Sequence, residues 1–394
     1  MPGGAEGLTR ERGLLSGEGR RTERGAEQGD QSEEGEAAEA HESQGRGESG
    51  DRAQNTQRVA GPASQSADGV IFYQSPTRLV LATVSLALTF LGTSASRPTV
   101  ERGMSALAVV REGETMLFDC GEGTQRQMMR WGVGFMMDDI FFTHFHTDHF
   151  LGVLGLLKTM TLQAREAPLR LWGPKGAQAL FKRAEGLGNE RLTFPMTVTD
   201  LEPDAVIDRQ DYAIHAFPVE HRNGLAIGYA LKEKLRLGRF DPNHALALGI
   251  PEGPLWGRIH KGESITLDDG RVVQPSELVG PTRPGRSLVI TGDTRPCKAT
   301  IDMAMDADLL VHESTFGDEE AARAVETAHS TAREAATVAR MAGVRRLALT
   351  HFSARYSRDA RDLEREAREE FTGDLVMARD GMELEVPYRD AIAE

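Results

Sequence analysis

Residues 144–149 read His-Phe-His-Thr-Asp-His, three imidazoles and one carboxylate in a single loop directly after the apolar run Ile140-Phe141-Phe142-Thr143. Imidazole and carboxylate are the ligands that a borderline cation such as zinc prefers, and crowding four of them together carries a cost that a bound cation relieves. A lone histidine is usually a satisfied core or surface residue, whereas an H-x-H-x-D-H run is a metal motif. Groups of the same chemistry stand at the ends of other apolar runs. His221 closes Phe217-Pro-Val-Glu, Asp293 follows Leu288-Val-Ile-Thr-Gly292, and His351 follows Leu347-Ala-Leu-Thr350. The carboxyl ends of strands are where α/β sheets assemble their sites. Singly, each of these residues would be a surface or capping group. Together with the cluster, they supply enough ligands for two metals.

The elements that must hold these groups are legible from pattern. Leu86–Leu91 reads as a strand, Ser105–Val110 and Thr115–Phe118 as a hairpin about Glu112-Gly113, and Ile140–Thr143 as a short buried strand leading into the histidine loop. Leu151–Gln163 follows as a buried helix. Leu169–Trp172, Tyr212–Val219 and Ser287–Ile290 read as further strands, and Lys175–Ala184, His329–Ala342 and Asp359–Phe371 as helices. The class is layered α/β, with no internal repeat.

Of the 394 residues, 39% are hydrophobic and 27% charged, which is globular in class. Residues 1–69 are rich in Gly, Ser, Gln and Glu and have no large apolar run, the composition of a disordered acidic extension, and 70–85 reads as a lead-in to a domain over 86–390. Two cysteines, Cys120 and Cys297, exclude a disulfide scaffold and fit a reducing, cytoplasmic setting. The run Leu79–Leu91 falls short of the roughly 20 apolar residues of a membrane span, so no membrane is expected. The segment 231–280 departs from core texture. It gathers Lys232, Lys234, Arg236 and Arg239, then Gly249-Ile-Pro-Glu-Gly-Pro254, then a polar turn at Asp268-Asp269-Gly270, and reads as a protruding insertion or a long surface excursion.

The order Asp119, then His144 to His149, then His221, Asp293 and His351 resembles the metallo-β-lactamase fold superfamily, and within it the ribonuclease Z family. The resemblance runs from about Leu86 to Val386 through Phe90-Leu-Gly-Thr93, Phe118-Asp-Cys-Gly-Glu-Gly-Thr-Gln125, Gly292-Asp-Thr-Arg295, His312-Glu-Ser-Thr315, His329-Ser-Thr331 and Leu349-Thr-His-Phe-Ser-Ala-Arg-Tyr356. It implies an αβ/βα sandwich with an arm inserted between strands. It places His144, His146 and His221 on one zinc, Asp148, His149 and His351 on a second, and Asp293 between them, with other divalent ions such as manganese also usable. Asp119 supports the loop from behind. Asp148 doubles as the base that orients water, and Glu313 orients His329 as general acid.

The implied reaction removes the 3′ trailer of precursor tRNA after the discriminator base, leaving a 3′-hydroxyl on the tRNA and a 5′-phosphate on the trailer. The segment 231–280 then becomes a flexible tRNA-binding arm, with Lys232, Lys234, Arg236, Arg239, Gly253 and Pro254 as substrate contacts, in a homodimer where one subunit's arm serves the other's site. The net charge of -14 does not oppose this, since global charge speaks to solubility and steering rather than to a site.

The chain also departs from the family pattern. Phe145 and Thr147 stand where leucine and a small residue are common, and Pro98-Thr-Val-Glu-Arg102-Gly103 replaces P-x-K-x-R-N, with Val100 for lysine and Gly103 for asparagine. The extension before Leu86 is foreign to short family members, and reads either as a genuine acidic tail or as a start assigned too far upstream. The competing activity is a metal-dependent phosphodiesterase acting on small phosphodiesters or other RNAs.

Overall fold

A computed structural model of the chain describes residues 86–184, 191–222 and 225–389. The expected extension (1–69) and lead-in (70–85) lie outside the described residues. The first half of the domain runs β1 (Leu86–Gly92), β2 (Ala106–Arg111), β3 (Glu114–Phe118), α1 (Thr124–Trp131), β4 (Asp139–Phe141), α2 (Thr147–Phe150), α3 (Val153–Leu162), β5 (Leu169–Pro174), α4 (Ala177–Ala184) and β6 (Met196–Leu201). The second opens with β7 (Val206–Asp208), β8 (Tyr212–Pro218) and β9 (Ile227–Glu233), then departs into α5 (Pro242–Ala247), α6 (Pro254–His260), β10 (Ile265–Thr266), β11 (Val272–Val273) and α7 (Pro275–Leu278). It returns through β12 (Ser287–Ile290), α8 (Lys298–Met303), β13 (Leu309–Glu313), α9 (Ala321–Thr327), α10 (Ala332–Met341), β14 (Arg346–Thr350), α11 (Arg361–Glu370), β15 (Asp374–Met377) and β16 (Glu383–Glu385).

The strands form two large sheets, ordered β16-β1-β2-β3-β4-β5-β6 and β15-β14-β13-β12-β9-β8-β7. Alternation along each strand decides the layering. Leu107 and Val109 of β2 and Met116 and Phe118 of β3 face a core shared with Leu288 and Ile290 of β12 and Leu309 and Val311 of β13. Their neighbours turn outward: Ala106, Ala108 and Leu117 pack with Met128 of α1 and Leu156 of α3. In the second sheet, Val289, Leu310 and Leu347 pack with Ala335, Ala336 and Ala339 of α10. Both faces of these strands are covered, which is why they read as continuous apolar runs. The result is helices, sheet, sheet, helices. The strands β3, β4, β12, β13 and β14 deliver their carboxyl ends to one edge of the sandwich, where the loops beginning at Asp119, Thr143, Thr291, Ser314 and His351 meet.

The helix expected over 151–163 is α3, starting two residues later at Val153, and a separate short helix α2 precedes it inside the histidine loop from Thr147. The helix expected from His329 starts at Ala332. Thr331 caps it, accepting from Glu334 N at 3.1 Å while the Glu334 carboxylate accepts from Thr331 N at 2.9 Å. This reciprocal pairing ends the loop and leaves His329 outside the helix.

The excursion begins later than the sequence suggested, because β9 continues through Glu233 and Lys232 pairs with Ser287 and Ala213. Leu231 and Lys232 therefore belong to the sheet. Beyond them a narrow stalk rises, with Arg236 and Arg283 exchanging backbone hydrogen bonds at 2.8 and 3.0 Å. It carries a small core of its own, Ala245, Ile250, Ile259, Ile265, Val273 and Leu278.

Close backbone approach fixes the metal-facing loops. A Cβ on Gly152 would lie 1.9 Å from the Gly121 carbonyl oxygen, while one on Gly257 of α6 meets nothing within 4 Å. Gly152→Ala should cost about 1–3 kcal/mol in urea unfolding through overpacking, whereas Gly257→Ala should leave the midpoint unchanged or raise it.

Candidate metal centre

Three turns at the edge of the sandwich use left-handed backbone. Asp119 (φ 57), Gly292 (φ 63) and His351 (φ 59) each lie at or just beyond the end of a strand. For Asp119 and His351, which carry a Cβ, such a conformation costs on the order of 1–3 kcal/mol, and that strain is held where it aims a side chain.

The groups so aimed converge. His146 Nδ1 lies 3.0 Å from His144 Nε2 and 3.2 Å from His221 Nε2, and His149 Nε2 lies 3.2 Å from His351 Nε2. Asp293 stands between the two sets, its Oδ2 3.6 Å from His144 and 3.4 Å from His149, its Oδ1 3.2 Å from His351. Asp148 Oδ2 is 3.6 Å from both His149 and His351. All seven sequence-predicted ligands thus fall into two neighbouring groups, His144, His146, His221 and Asp293 in one and Asp148, His149 and His351 in the other, and a third group of Asp293, His329 and His351 overlaps both.

The tautomers follow from what lies behind the rings. His149 Nδ1 donates to Asp119 Oδ2 at 2.7 Å, and His221 Nδ1 to the Ala328 carbonyl at 2.7 Å. The Thr143 hydroxyl bonds the Asp119 carboxylate at 2.9 Å and so accepts from His144 Nδ1 at 3.1 Å. The Thr315 hydroxyl donates to Glu313 Oε2 at 2.6 Å and accepts from His351 Nδ1 at 3.0 Å. Each of these four rings therefore turns the lone pair of Nε2 into the pocket. Lone pairs facing one another at about 3 Å repel unless a cation lies between them. Asp293 Oδ1 is also buried without a hydrogen-bond partner. The donor set fits divalent metal.

Electrostatics agree. Burial lowers the pKa of His144, His146 and His221, keeping them in the neutral, ligating form. Burial also opposes charge on His149, yet Asp293 and Asp119 outweigh it and hold its pKa well above the imidazole range. The pocket thus draws positive charge to this point, a demand that a cation meets. Asp148 is held well below the usual carboxylate range by His351 and His149, against the effect of burial.

Beside this group lies a second pair. His329 Nδ1 bonds Glu313 Oε1 at 2.8 Å, and Glu313 is fixed in turn by Thr294 N at 2.8 Å. Burial disfavours charge on His329, but Glu313 and Asp293 raise its pKa to about 9. His329 also lies within ligand range of Asp293 and His351. The ring nitrogen nearest Asp293, Nδ1 at 3.8 Å, is the one committed to Glu313. Arg295 donates to the His329 carbonyl at 2.6 Å and also pairs with Glu334, which ties this loop to the cap of α10.

The expected substrate contacts are not part of this pocket. Lys232 is in β9, Lys234 Nζ pairs with Asp208 at 2.8 Å, and the Arg236 guanidinium stacks 3.5 Å from the Tyr388 ring. These three cations are used at the root of the arm. Arg239 lies further along the excursion, where its backbone carbonyl accepts from Gly280 N at 2.9 Å. Gly253 and Pro254 open α6, with open space around Gly253.

Pattern reading missed Thr143, Thr315 and Ser96, whose backbone N donates to Asp148 Oδ2 at 2.8 Å. The adjacency of Thr143 to His144 was the available signal. It also missed a cavity of about 350 Å³ beside the pocket, lined by Ser96, Arg97, Thr315, Phe316, Arg323 and Arg355 among others. In the departing loop, Val100 is 93% exposed, while Arg102 is buried, donating to Thr93 Oγ1 at 2.7 Å and the Ala378 carbonyl at 2.9 Å.

A family model described as Anti-Pycsar protein Apyc1 matches residues 86–237, under half of the chain. Over 310 residues the chain is 60% identical to a ribonuclease Z of Gemmatimonas aurantiaca, covering 78% of this chain and 98% of that relative. The chain belongs to the ribonuclease Z family. A crystal structure of the short form of human tRNase Z superposes with a TM-score of 0.56 at 29% identity, over 76% of this chain and 99% of that one. YhfI of Bacillus subtilis, a metallo-beta-lactamase fold protein, gives a TM-score of 0.55 at 17% identity over 76% of this chain and 99% of its own, a likeness of fold. The chain therefore has the fold expected of a ribonuclease Z.

Asp119→Ala should lower affinity for divalent metal by about 10- to 100-fold, measured by competition with a chromogenic chelator, because the ring of His149 loses its orienting partner. Glu313→Gln removes the negative charge that raises the His329 pKa. An acid must be protonated to act, so the alkaline limb of the pH–rate profile should move to lower pH, as read from kcat between pH 6 and 10.

Proposed function

We propose that the chain is a zinc-dependent endoribonuclease that removes the 3′ trailer of precursor tRNA by cutting after the discriminator base. The observation that carries the reading is the likeness at 60% identity to a named ribonuclease Z over nearly its full length. The convergence of ligands with a Glu313–His329 pair beside them supports it. In this reading His144, His146 and His221 hold one Zn²⁺, Asp148, His149 and His351 a second, and Asp293 both. Bound ions would supply Lewis acidity toward the phosphodiester and make water a competent nucleophile near neutral pH. The chain's own groups do the rest. Asp148, anchored by Ser96 N, orients the attacking water. His329, held charged by Glu313, gives its proton to the departing 3′-oxygen, leaving a 3′-hydroxyl on the tRNA and a 5′-phosphate on the trailer.

Arg97, Arg323 and Arg355 line the cavity beside the pocket, and in this reading they meet RNA phosphates next to the cut. The excursion between β9 and β12 serves as the tRNA-gripping arm, with Arg239, Gly253 and Pro254 on it. Its two roots, at Glu233 and Ser287, stand at the opposite end of β9 and β12 from the turn that carries Asp293, with about 10 Å of strand between at the usual rise of about 3.3 Å per residue. A grip rooted at that end favours a homodimer in which each arm serves the partner's site. No helix among the described residues is long and apolar enough to cross a membrane, and a cytoplasmic setting suits the two buried thiols.

The test is cleavage of a precursor tRNA bearing a 3′ trailer, with zinc or manganese supplied and both product ends mapped. One cut after the discriminator is expected. Asp148→Ala should abolish turnover while tRNA affinity stays within a few-fold. Replacing residues 237–282 by a short turn should raise KM for precursor tRNA by about tenfold or more and spare a small chromogenic phosphodiester, because remote binding energy is lost while the reacting groups are untouched. Turnover of the small diester alone, by protein holding two metals per chain, would replace this reading with a small-substrate phosphodiesterase.

A further inference from the structure

The root of the arm is built around one aromatic ring. Tyr388 follows β16, and the Arg236 Cζ lies 3.5 Å and the Arg286 Cζ 4.0 Å from its ring centre. Two guanidinium groups that close to one centroid cannot share a face without overlapping, so the ring is clamped between them. Arg236 is on the outgoing limb of the stalk and Arg286 on the returning limb. Tyr388 therefore bridges the two limbs from outside the arm.

What surrounds the clamp is rigid. Glu233, the last residue of β9, binds Arg286 through Nη2 at 2.7 Å, Nε at 2.9 Å and backbone N at 3.0 Å. Arg111 Nε adds a 2.9 Å bond to the same carboxylate, and Arg286 Nη1 donates to the Val386 carbonyl at 3.3 Å. The side chains of both Glu233 and Arg286 are 2% exposed. Just above, backbone meets backbone: a Cβ on Gly285 would lie 2.6 Å from the Glu233 carbonyl oxygen, and one on Gly238 1.8 Å from that of Gly280. The two limbs therefore cannot splay on their own. What Tyr388 adds to the Arg111–Glu233 and Arg286–Val386 bonds is a contact from the segment that follows β16 to the outgoing limb, at Arg236.

We propose that Tyr388 is a positioning residue that sets the direction of the arm relative to the catalytic body, and so the span between the point where tRNA is gripped and the phosphate that is cut. The inference rests on the arm's role given above. A guanidinium stacks on an aromatic face through charge and quadrupole, and the ring alone supplies that face, so the phenolic hydroxyl is dispensable.

Three variants of the full-length protein test this. Tyr388→Ala should raise KM for precursor tRNA about five- to tenfold with kcat within twofold, and leave a small chromogenic phosphodiester unaffected. Tyr388→Phe should restore the wild-type KM. Spin labels on cysteines introduced at Asp268 in the arm and Glu166 in the body should show a broader distance distribution in Tyr388→Ala than in wild type. The native thiols are buried, which favours labelling at the introduced sites. An unchanged precursor KM, or an equal loss on both substrates, overturns the proposal, as does failure of Tyr388→Phe to rescue. A wild-type protein that cleaves the small diester but no precursor tRNA would instead overturn the tRNA reading itself.

Discussion

Everything at the working edge of this molecule depends on holding electron-rich groups face to face. Five imidazoles bring ring nitrogens to 3.0–3.2 Å in the pairs His144–His146, His146–His221 and His149–His351, and Asp293 is buried among them with an unbonded oxygen. Nothing in such an arrangement is self-stabilising. It persists because each ring is braced from behind, by Asp119, by the Thr143 and Thr315 hydroxyls and by the Ala328 carbonyl, and because the first three follow within two residues of strands buried on both faces while Ala328 closes α9. Asp119 and His351 even accept left-handed backbone to meet the requirement. The two sheets, packed through Met116, Phe118, Leu288 and Val311, provide the stiffness that resists this cost.

The same logic separates the roles of the two carboxylate–histidine pairs. In Asp119–His149 the carboxylate lies on the side of the ring away from the pocket and fixes which nitrogen faces it. In Glu313–His329 the carboxylate takes Nδ1, the ring nitrogen nearest Asp293, and raises the pKa of the ring. The two carboxylates stand at the ends of β3 and β13, while the rings they hold come from α2 and from the turn after α9.

Much of this was legible beforehand. The histidine loop announced itself by density, and His221, Asp293 and His351 by their place after apolar runs, since strands of a covered sheet leave their polar residues at their ends. The braces were less visible, because threonines and a backbone carbonyl carry no distinctive spacing. The basic run from Lys232 was legible as charge but not as position. Charge says nothing about whether a lysine lies on a sheet register or a free loop, and hydrogen bonding to β8 and β12 decided that Lys232 belongs to the strand. Helix starts were misplaced by two or three residues where a cap, not a change in hydrophobic pattern, ends the loop. The ring of Tyr388 gave no signal at all, since its partners are more than a hundred residues away in sequence.

The strands β9 and β12 are antiparallel neighbours, paired through Lys232 and Ser287, so the arm occupies the place of an ordinary hairpin turn. It has its own small core and touches the body through a narrow root. An insertion of this kind is modular: it can be lengthened, exchanged or lost while the sheets and their catalytic edge keep their register. Changes within it therefore leave the packing of the two sheets undisturbed, since its core shares no residue with theirs.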